Sequence, residues 1–305
     1  MDHSTFLRSM PADRLTHLRS RSTAIGLRRF ALHLGLILAF GTLVTLRLPG
    51  WWLLMLPQGI LIAFLFTLQH EATHKTPFAS EPLNEWVGWF CGLMILQPFL
   101  WFRYFHLAHH RHTQDPEHDP ELTGLPKPED WPAMLWHLGC LGYWRDKLFL
   151  IAENALGLVD APYVPERLHP RLRREALGMI AVYTAALTFS ILVHPALLWA
   201  WLVPLMLGFP VLRFYLLAEH GRCPFVADMF DNTRTTYTNA VVRFLAWNMP
   251  YHSEHHALPQ VPFFRLPEFH ADIRGHLRTT SPGYRAFGQA YVATLEPAKT
   301  ANTKR

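Results

Sequence analysis

Four uncharged apolar runs constrain this chain more than any other feature: Phe30 to Leu46, Trp51 to Leu68, Ala176 to Val193 and Ala196 to Leu212. Each is 17 or 18 residues long, at the short end of the roughly 17–25 that cross a hydrocarbon core of about 30 Å. They form two pairs. Only Arg47, Leu48, Pro49 and Gly50 separate the first two runs, and only His194 and Pro195 the last two. Each pair is therefore expected to be a helical hairpin that turns at once on the far side of a membrane. Buried helices of a soluble core are the competing reading, and the pairing and absence of charge favour spanning. Composition agrees: 50% of the 305 residues are hydrophobic and 17% charged, against about 25% charged in typical soluble domains.

Arginine sets the expected orientation. Arg8, Arg14, Arg19, Arg21, Arg28 and Arg29 precede the first run against only Asp2 and Asp13, while the two far-side turns hold one basic residue between them. Positive-inside bias places the N-terminus, the 69–175 segment and the 213–305 segment in the cytoplasm. The net charge of +5 then reads as an orientation signal, and no nucleic-acid partner is expected. A cleaved signal peptide is not expected, because the first run starts late and a second follows at once. Three cysteines without a CxxC pair argue against a disulfide framework.

A fifth run, Trp86 to Phe102, carries Gly88, Gly92 and Pro98, which permit a bent, half-inserted segment that returns to the side it came from. Residues 131 to 159 mix Trp131, Trp136 and Trp144 with Arg145, Asp146, Lys147 and Glu153, and read as interfacial helix. The expected fold is an all-α integral membrane protein of four transmembrane helices in two hairpins. Re-entrant and interfacial helices and a cytoplasmic His-rich cap complete it. Its divisions are a basic N-terminal segment (1–29), a membrane domain (30–280) and a C-terminal tail (281–305), frayed from about Pro297.

The chain has 19 histidines against 23 acidic residues. Eight fall in three clusters: His70-Glu-Ala-Thr-His74, His106-Leu-Ala-His109-His110 and His252-Ser-Glu-His255-His256. Residues three and four apart share a helix face, so each cluster aims two or three imidazoles one way. A lone HxxxH arises easily, but three such clusters at the cytoplasmic ends of spans point to a shared metal site. Imidazole suits iron, copper and zinc. One ion needs no more than about six ligands, so eight favour two metals, and a di-iron oxygenase-type site fits best. His70 and His74 follow directly on the second run, and the fourth run extends through Arg213 to Glu219 and His220, making His220 a ninth candidate ligand. A helix C-terminal histidine facing the dipole is its alternative role.

Bound imidazoles usually give their outer N–H to a carboxylate or carbonyl. Glu71 and Glu254, inside the boxes, are the first candidates for such catalytic-site carboxylates, followed by Asp115, Asp119 and Glu219; exposed carboxylates are the alternative for each. His112 and His118 lie close enough to assist or to be solvated loop residues. His33 and His194 are expected to be structural, on the far side.

In combination the boxes HEATH, HLAHH and HSEHH resemble those of the membrane-bound fatty acid desaturase/hydroxylase superfamily over roughly residues 30 to 280. The resemblance implies two irons held by the box histidines beneath a four-span bundle, with an additional ligand near the end of the fourth span, which His220 matches. Asn248-Met-Pro-Tyr-His-Ser-Glu-His-His-Ala-Leu-Pro-Gln-Val-Pro is similar to the family's third box and the turn after it. Many members carry a fused cytochrome b5 domain, for which there is no room here. A separate donor such as a ferredoxin or a free cytochrome is therefore expected. The implied activity is O2-dependent oxidation of an unactivated C–H bond in a membrane lipid, first of all fatty acyl desaturation. Asp115-Pro-Glu-His-Asp-Pro is equally similar to carotenoid hydroxylases and ketolases, which stand as the alternative. A non-catalytic metal-binding membrane protein is the third reading.

Overall fold

The computed structural model describes residues 1–124 and 126–297. Among these, strand is confined to a two-residue parallel pair, Thr235–Thr236 with Thr280–Ser281, and the rest of the regular structure is helical. Four helical stretches are long and apolar enough to cross a membrane by length and composition: Ala12–Thr45, Trp51–Thr73, Glu166–Leu192 and Leu198–His220. The 23 residues of the second extend roughly 35 Å, so this helix continues past its apolar run and carries His70 at its end. The fourth likewise runs on to His220.

The second and fourth spans form the centre of the bundle, touching backbone to backbone. A Cβ on Gly59 would lie 1.8 Å from the Pro204 carbonyl oxygen, and one on Gly208 would lie 2.1 Å from the Gly59 carbonyl carbon. Only glycine permits this approach, as in the small-residue crossings of membrane bundles. Above the crossing, Leu198–Leu202 forms a turn of π-helix. Its geometry frees the Ala200 carbonyl to accept from Gln58 Nε2 at 2.8 Å, while the Trp201 indole donates to the Met94 carbonyl at 2.7 Å. The first and third spans lie outside. Leu32, Leu36 and Leu38 on one and Leu187, Ile191 and Leu192 on the other are exposed, a surface suited to lipid.

The fifth apolar run does not cross. A descending helix, Glu81–Met94, and a return helix, Phe99–His112, fold back at Ile95–Pro98, where Leu96 adopts a left-handed φ of 59°. The two glycines lie inside the descending helix and serve contact rather than bending. Gly88 seats the Phe99 ring, which would lie 2.2 Å from a Cβ, and Gly92 seats the Gln97 carbonyl, at 2.3 Å. Glu175 of the third span caps the return helix, accepting from the Phe99 and Leu100 N–H groups at 2.6 and 3.1 Å. A carboxylate there satisfies donors that the helix itself leaves open.

The 131–159 segment forms two helices, Trp131–Gly139 and Leu141–Leu156, separated at Cys140. Trp131, Trp136, Leu148 and Phe149 are exposed, as an interfacial helix requires, whereas Trp144 turns inward onto Phe209, with ring centroids 4.5 Å apart.

The N-terminal segment and the C-terminal segment as far as Pro297 fold onto the same side of the bundle. Arg14 bonds Asp272 at 2.9 Å and Glu268 at 2.8 Å, and the His3 N–H donates to Asp228. The C-terminal segment includes a helix, Tyr284–Val292, whose Phe287 and Tyr291 pack against Leu217 and Ala218. The polar end after Pro297 lies outside the described residues.

Candidate metal centre

The second span ends on His70 and His74, the return helix places His106, His109 and His110 on its last turns, the fourth span ends on His220, and a short helix, His252–Ala257, carries His252, His255 and His256. All nine meet beneath the bundle. His70, His74, His106, His110 and His255 offer ligand atoms within 4.8 Å of one another, and so do His109, His220 and His256. His252 joins the second group, its Nε2 lying 3.0 Å from that of His220. The groups adjoin, for the His110 and His256 rings stack with centroids 4.0 Å apart.

The nitrogens facing inward are mostly Nε2. Those of His74 and His106 approach to 2.9 Å, those of His110 and His255 to 3.1 Å, and those of His109 and His220 to 3.1 Å. Two of the outer nitrogens face acceptors. His109 Nδ1 lies 2.9 Å from Asp119 Oδ1 and His220 Nδ1 lies 3.4 Å from the Asn232 carbonyl. A proton on Nδ1 at each leaves a lone pair on each inward Nε2, and two lone pairs 3.1 Å apart repel unless a cation lies between them. His70, with neither ring nitrogen hydrogen-bonded, and His256, with Nε2 unpartnered, show the same unmet donor capacity. The residues thus fit a centre of two cations with imidazole ligands.

Burial suits this role. It pushes His106, His110, His252, His255 and His256 well below the ordinary histidine range and His74 down to about 3, which favours the neutral form that metal binding requires. His109 differs: burial opposes its charge, but Glu121 and Asp119 outweigh burial and raise it.

The carboxylates divide. Asp119 holds His109 directly, and its Oδ2 also accepts from the Gln114 N–H at 2.9 Å. Glu219 lies 3.5 Å from His252 Nδ1. Glu71 stands 4.0 Å from His255 Nδ1, with its other oxygen bonded to Thr76 Oγ1 at 2.8 Å and the Phe263 N–H at 3.1 Å. Glu254 faces away from the box histidines, toward His270 and Thr235. Asp115 pairs with His118 at 2.9 Å, and with His112 they form a third, more exposed trio. His33 is buried and structural, but on the histidine side of the bundle: it meets the Leu61 carbonyl at 2.9 Å and accepts from the Trp247 indole at 3.2 Å.

Four supporting residues escaped the sequence reading. Glu121 Oε2 lies 3.3 Å from His109 Nε2, its carboxyl held at about 2 because Lys127 and His109 outweigh the burial that would raise it. Thr113 Oγ1 lies 3.1 Å from His256 Nδ1. Asn232 and Gln114 fix the loops behind His220, Gln114 donating to the His220 carbonyl at 3.0 Å. Glu121 had a local signal, its place directly after Asp119-Pro120; the others had none.

The sequence profile of the family described as Fatty acid desaturase matches residues 47–288, a stretch that contains all nine histidines. The chain belongs to this family. A sphingolipid delta(4)-desaturase of Drosophila melanogaster is 30% identical over 220 residues, which cover 69% of this chain and 62% of the fly enzyme. A dihydrorhizobitoxine desaturase of Bradyrhizobium elkanii is 27% identical over 269 residues, covering 81% of this chain and 74% of that protein. An sn-1 acyl-lipid omega-3 desaturase (ferredoxin) of Synechocystis sp. is 33% identical over 118 residues, 38% of this chain and 32% of its own. The chain spans about three fifths of the fly enzyme's length, and it carries histidine clusters able to bind metal.

Against the histidines lies a cavity of about 490 Å³. His70, His106, His109, His220 and His252 close its inner end; Phe66, Trp101, Phe102 and Phe105 form an apolar wall. Gln97, at the hairpin turn, also lines it and accepts from the Tyr143 hydroxyl at 3.1 Å. The cavity combines an apolar wall with a few polar groups, as substrate sites do.

Proposed function

We propose that the chain is a di-iron desaturase that introduces a double bond into an aliphatic chain of a membrane lipid, with His70, His74, His106, His110 and His255 holding one iron and His109, His220, His252 and His256 the other. The observation that carries this is the convergence of inward lone pairs in two adjoining groups. When bound, the irons supply the O2-dependent redox chemistry that side chains lack.

The chain's own residues position and protect. Asp119 keeps the His109 proton on Nδ1, and the Asn232 carbonyl does the same for His220. Phe66, Phe102 and Phe105 seat methylenes and exclude water beside the ligands. Glu71, wholly buried, sets a carboxyl oxygen 4.0 Å from His255 Nδ1 and ties the second span to the loop after the third box through the Phe263 N–H; Glu254 acts one layer further out, fixing the third-box helix through Thr235 and His270.

Overall, one substrate CH2–CH2 loses two hydrogens while O2 is reduced to two waters, which requires two further electrons and two protons. A small electron carrier, ferredoxin or cytochrome, supplies the electrons at the cytoplasmic face. The arginine-rich N-terminal segment, whose Arg14 bonds Asp272 and Glu268, supports reading the histidine side as cytoplasmic.

Expression in a host that makes both acyl lipids and carotenoids, followed by lipid and pigment mass spectrometry, tests the reading. Products two hydrogens lighter than an acyl precursor are expected. Oxygenated pigment with unchanged acyl chains would assign the hydroxylase or ketolase activity instead.

A further inference from the structure

Among the described residues, two cations face the cavity without a carboxylate partner. Lys147 is 9% exposed, and its Nζ lies 5.1 Å from the Trp101 ring centroid and 5.2 Å from that of Tyr143. Among the described residues it makes no hydrogen bond or ion pair. The Arg213 guanidinium stands 5.4 Å from the same Tyr143 ring. Its Nη2 donates to His137 Nδ1 at 2.7 Å, and its Nε has no partner. Asn154 lies on the same cavity wall, 1% exposed, with neither its amide nitrogen nor its oxygen bonded.

Two like charges and an unpartnered carboxamide are costly to bury together unless a ligand completes them. Among the described residues no carboxylate of the wall pairs with either cation: Asp146 pairs with Arg145 and Glu121 with Lys127, and Glu153, Asp160 and Glu219 form no ion pair with Lys147 or Arg213. The missing partner is therefore an anion. Its position relative to the metal centre follows from the fourth span, where Arg213 and His220 are seven residues apart on one continuous helix. That is two turns, roughly 10 Å along the axis and within about 20° of the same face.

We propose that Lys147, Arg213 and Asn154 form a site for the anionic head, carboxylate or phosphate, of a single-chain amphiphile. Its chain runs along the Phe66, Phe102 and Phe105 wall to His220 and His252. The inference rests on the desaturase reading and narrows its substrate class. The head group enters the protein instead of remaining at the membrane surface, and the carbons attacked lie about two helical turns from it.

Isothermal titration of the iron-loaded protein in phosphatidylcholine nanodiscs at pH 6.5, with decanoate, decyl phosphate and decanol as probes, tests the site. At least one anion is expected to bind about tenfold or more tightly than decanol, the scale of a charge-assisted pairing, and the tighter of the two identifies the head group. Lys147→Met should abolish the preference and Lys147→Arg retain it; Asn154→Leu gives a second reading should Lys147→Met not fold. Equal binding of all three probes, or a preference unchanged in both Lys147→Met and Asn154→Leu, overturns the proposal. The two readings fail separately. A protein holding two irons without anion preference refutes only the head-group site, and anion preference in a folded protein that takes up no iron refutes only the metal centre.

Discussion

Asp119 Oδ1 lies 2.9 Å from His109 Nδ1, and both side chains are almost wholly buried. This contact directs the His109 lone pair inward, to within 3.1 Å of His220 Nε2. Asp119→Ala is therefore expected to lower iron occupancy or activity by about 10- to 100-fold. Metal analysis of the purified variant beside wild type checks this. Unchanged iron content and unchanged turnover would remove Asp119 from the centre.

The Gly59–Gly208 crossing makes a prediction about the bundle alone. A side chain at Gly208 meets the Gly59 backbone at about van der Waals overlap, 2.1 Å from its carbonyl carbon, and backbone cannot step aside as a flexible side chain can. Gly208→Leu should destabilise by about 1–3 kcal/mol or more. Thermal unfolding in detergent reads this, with Gly178→Leu, whose Cβ meets nothing within 4 Å, as the control that should unfold near the wild-type temperature.

Much of this architecture was legible because its signals are local. The four runs, their pairing and the spacing of the boxes all lie within short windows, and the continuation of the second and fourth spans to His70 and His220 followed from their sequences. The bend in Trp86 to Phe102 was also legible, but for a partly mistaken reason. Pro98 does mark the turn, whereas Gly88 and Gly92 are needed where Phe99 and Gln97 press on the descending helix. His33 was misplaced to the far side because its partner, Trp247, is more than two hundred residues away. Lys147 and Asn154 carry no motif, and their meaning comes only from which groups the fold sets opposite them.

Glu175 shows how one such long-range contact supports the site. Its carboxylate caps the helix that carries His106, His109 and His110. Glu175→Ala should cost about 0.5–2 kcal/mol, the range for loss of a helix cap, and Glu175→Gln, which keeps an acceptor, should cost less. Unfolding midpoints of the two variants give the comparison; equal values for wild type and Glu175→Ala would show that the cap carries no stability.

Anion binding should depend on pH through Lys147, which burial, with Arg213 nearby, holds down at about 7. Arg213, His137, Tyr143, Asp146, Glu153 and Asp160 are charged or titratable groups on this part of the wall. Below about 7 the ammonium is charged and decanoate binds best. As pH rises through that value the charge is lost, and affinity should fall by up to about tenfold per unit, the slope for one linked proton. The bound anion moves the fall to higher pH. In Lys147→Arg the guanidinium stays charged, so the profile should be flat from pH 6 to 9. A profile equally steep in both proteins would assign the titration to another group.

The metal centre itself is tested most directly by counting iron. Elemental analysis of the purified full chain, expressed in iron-replete medium and normalised by quantitative amino-acid analysis, should give two irons per chain. His109→Ala should lose metal and turnover together. Wild-type protein that is folded and active while holding well under two irons, with turnover unchanged in His109→Ala, would contradict the di-iron assignment.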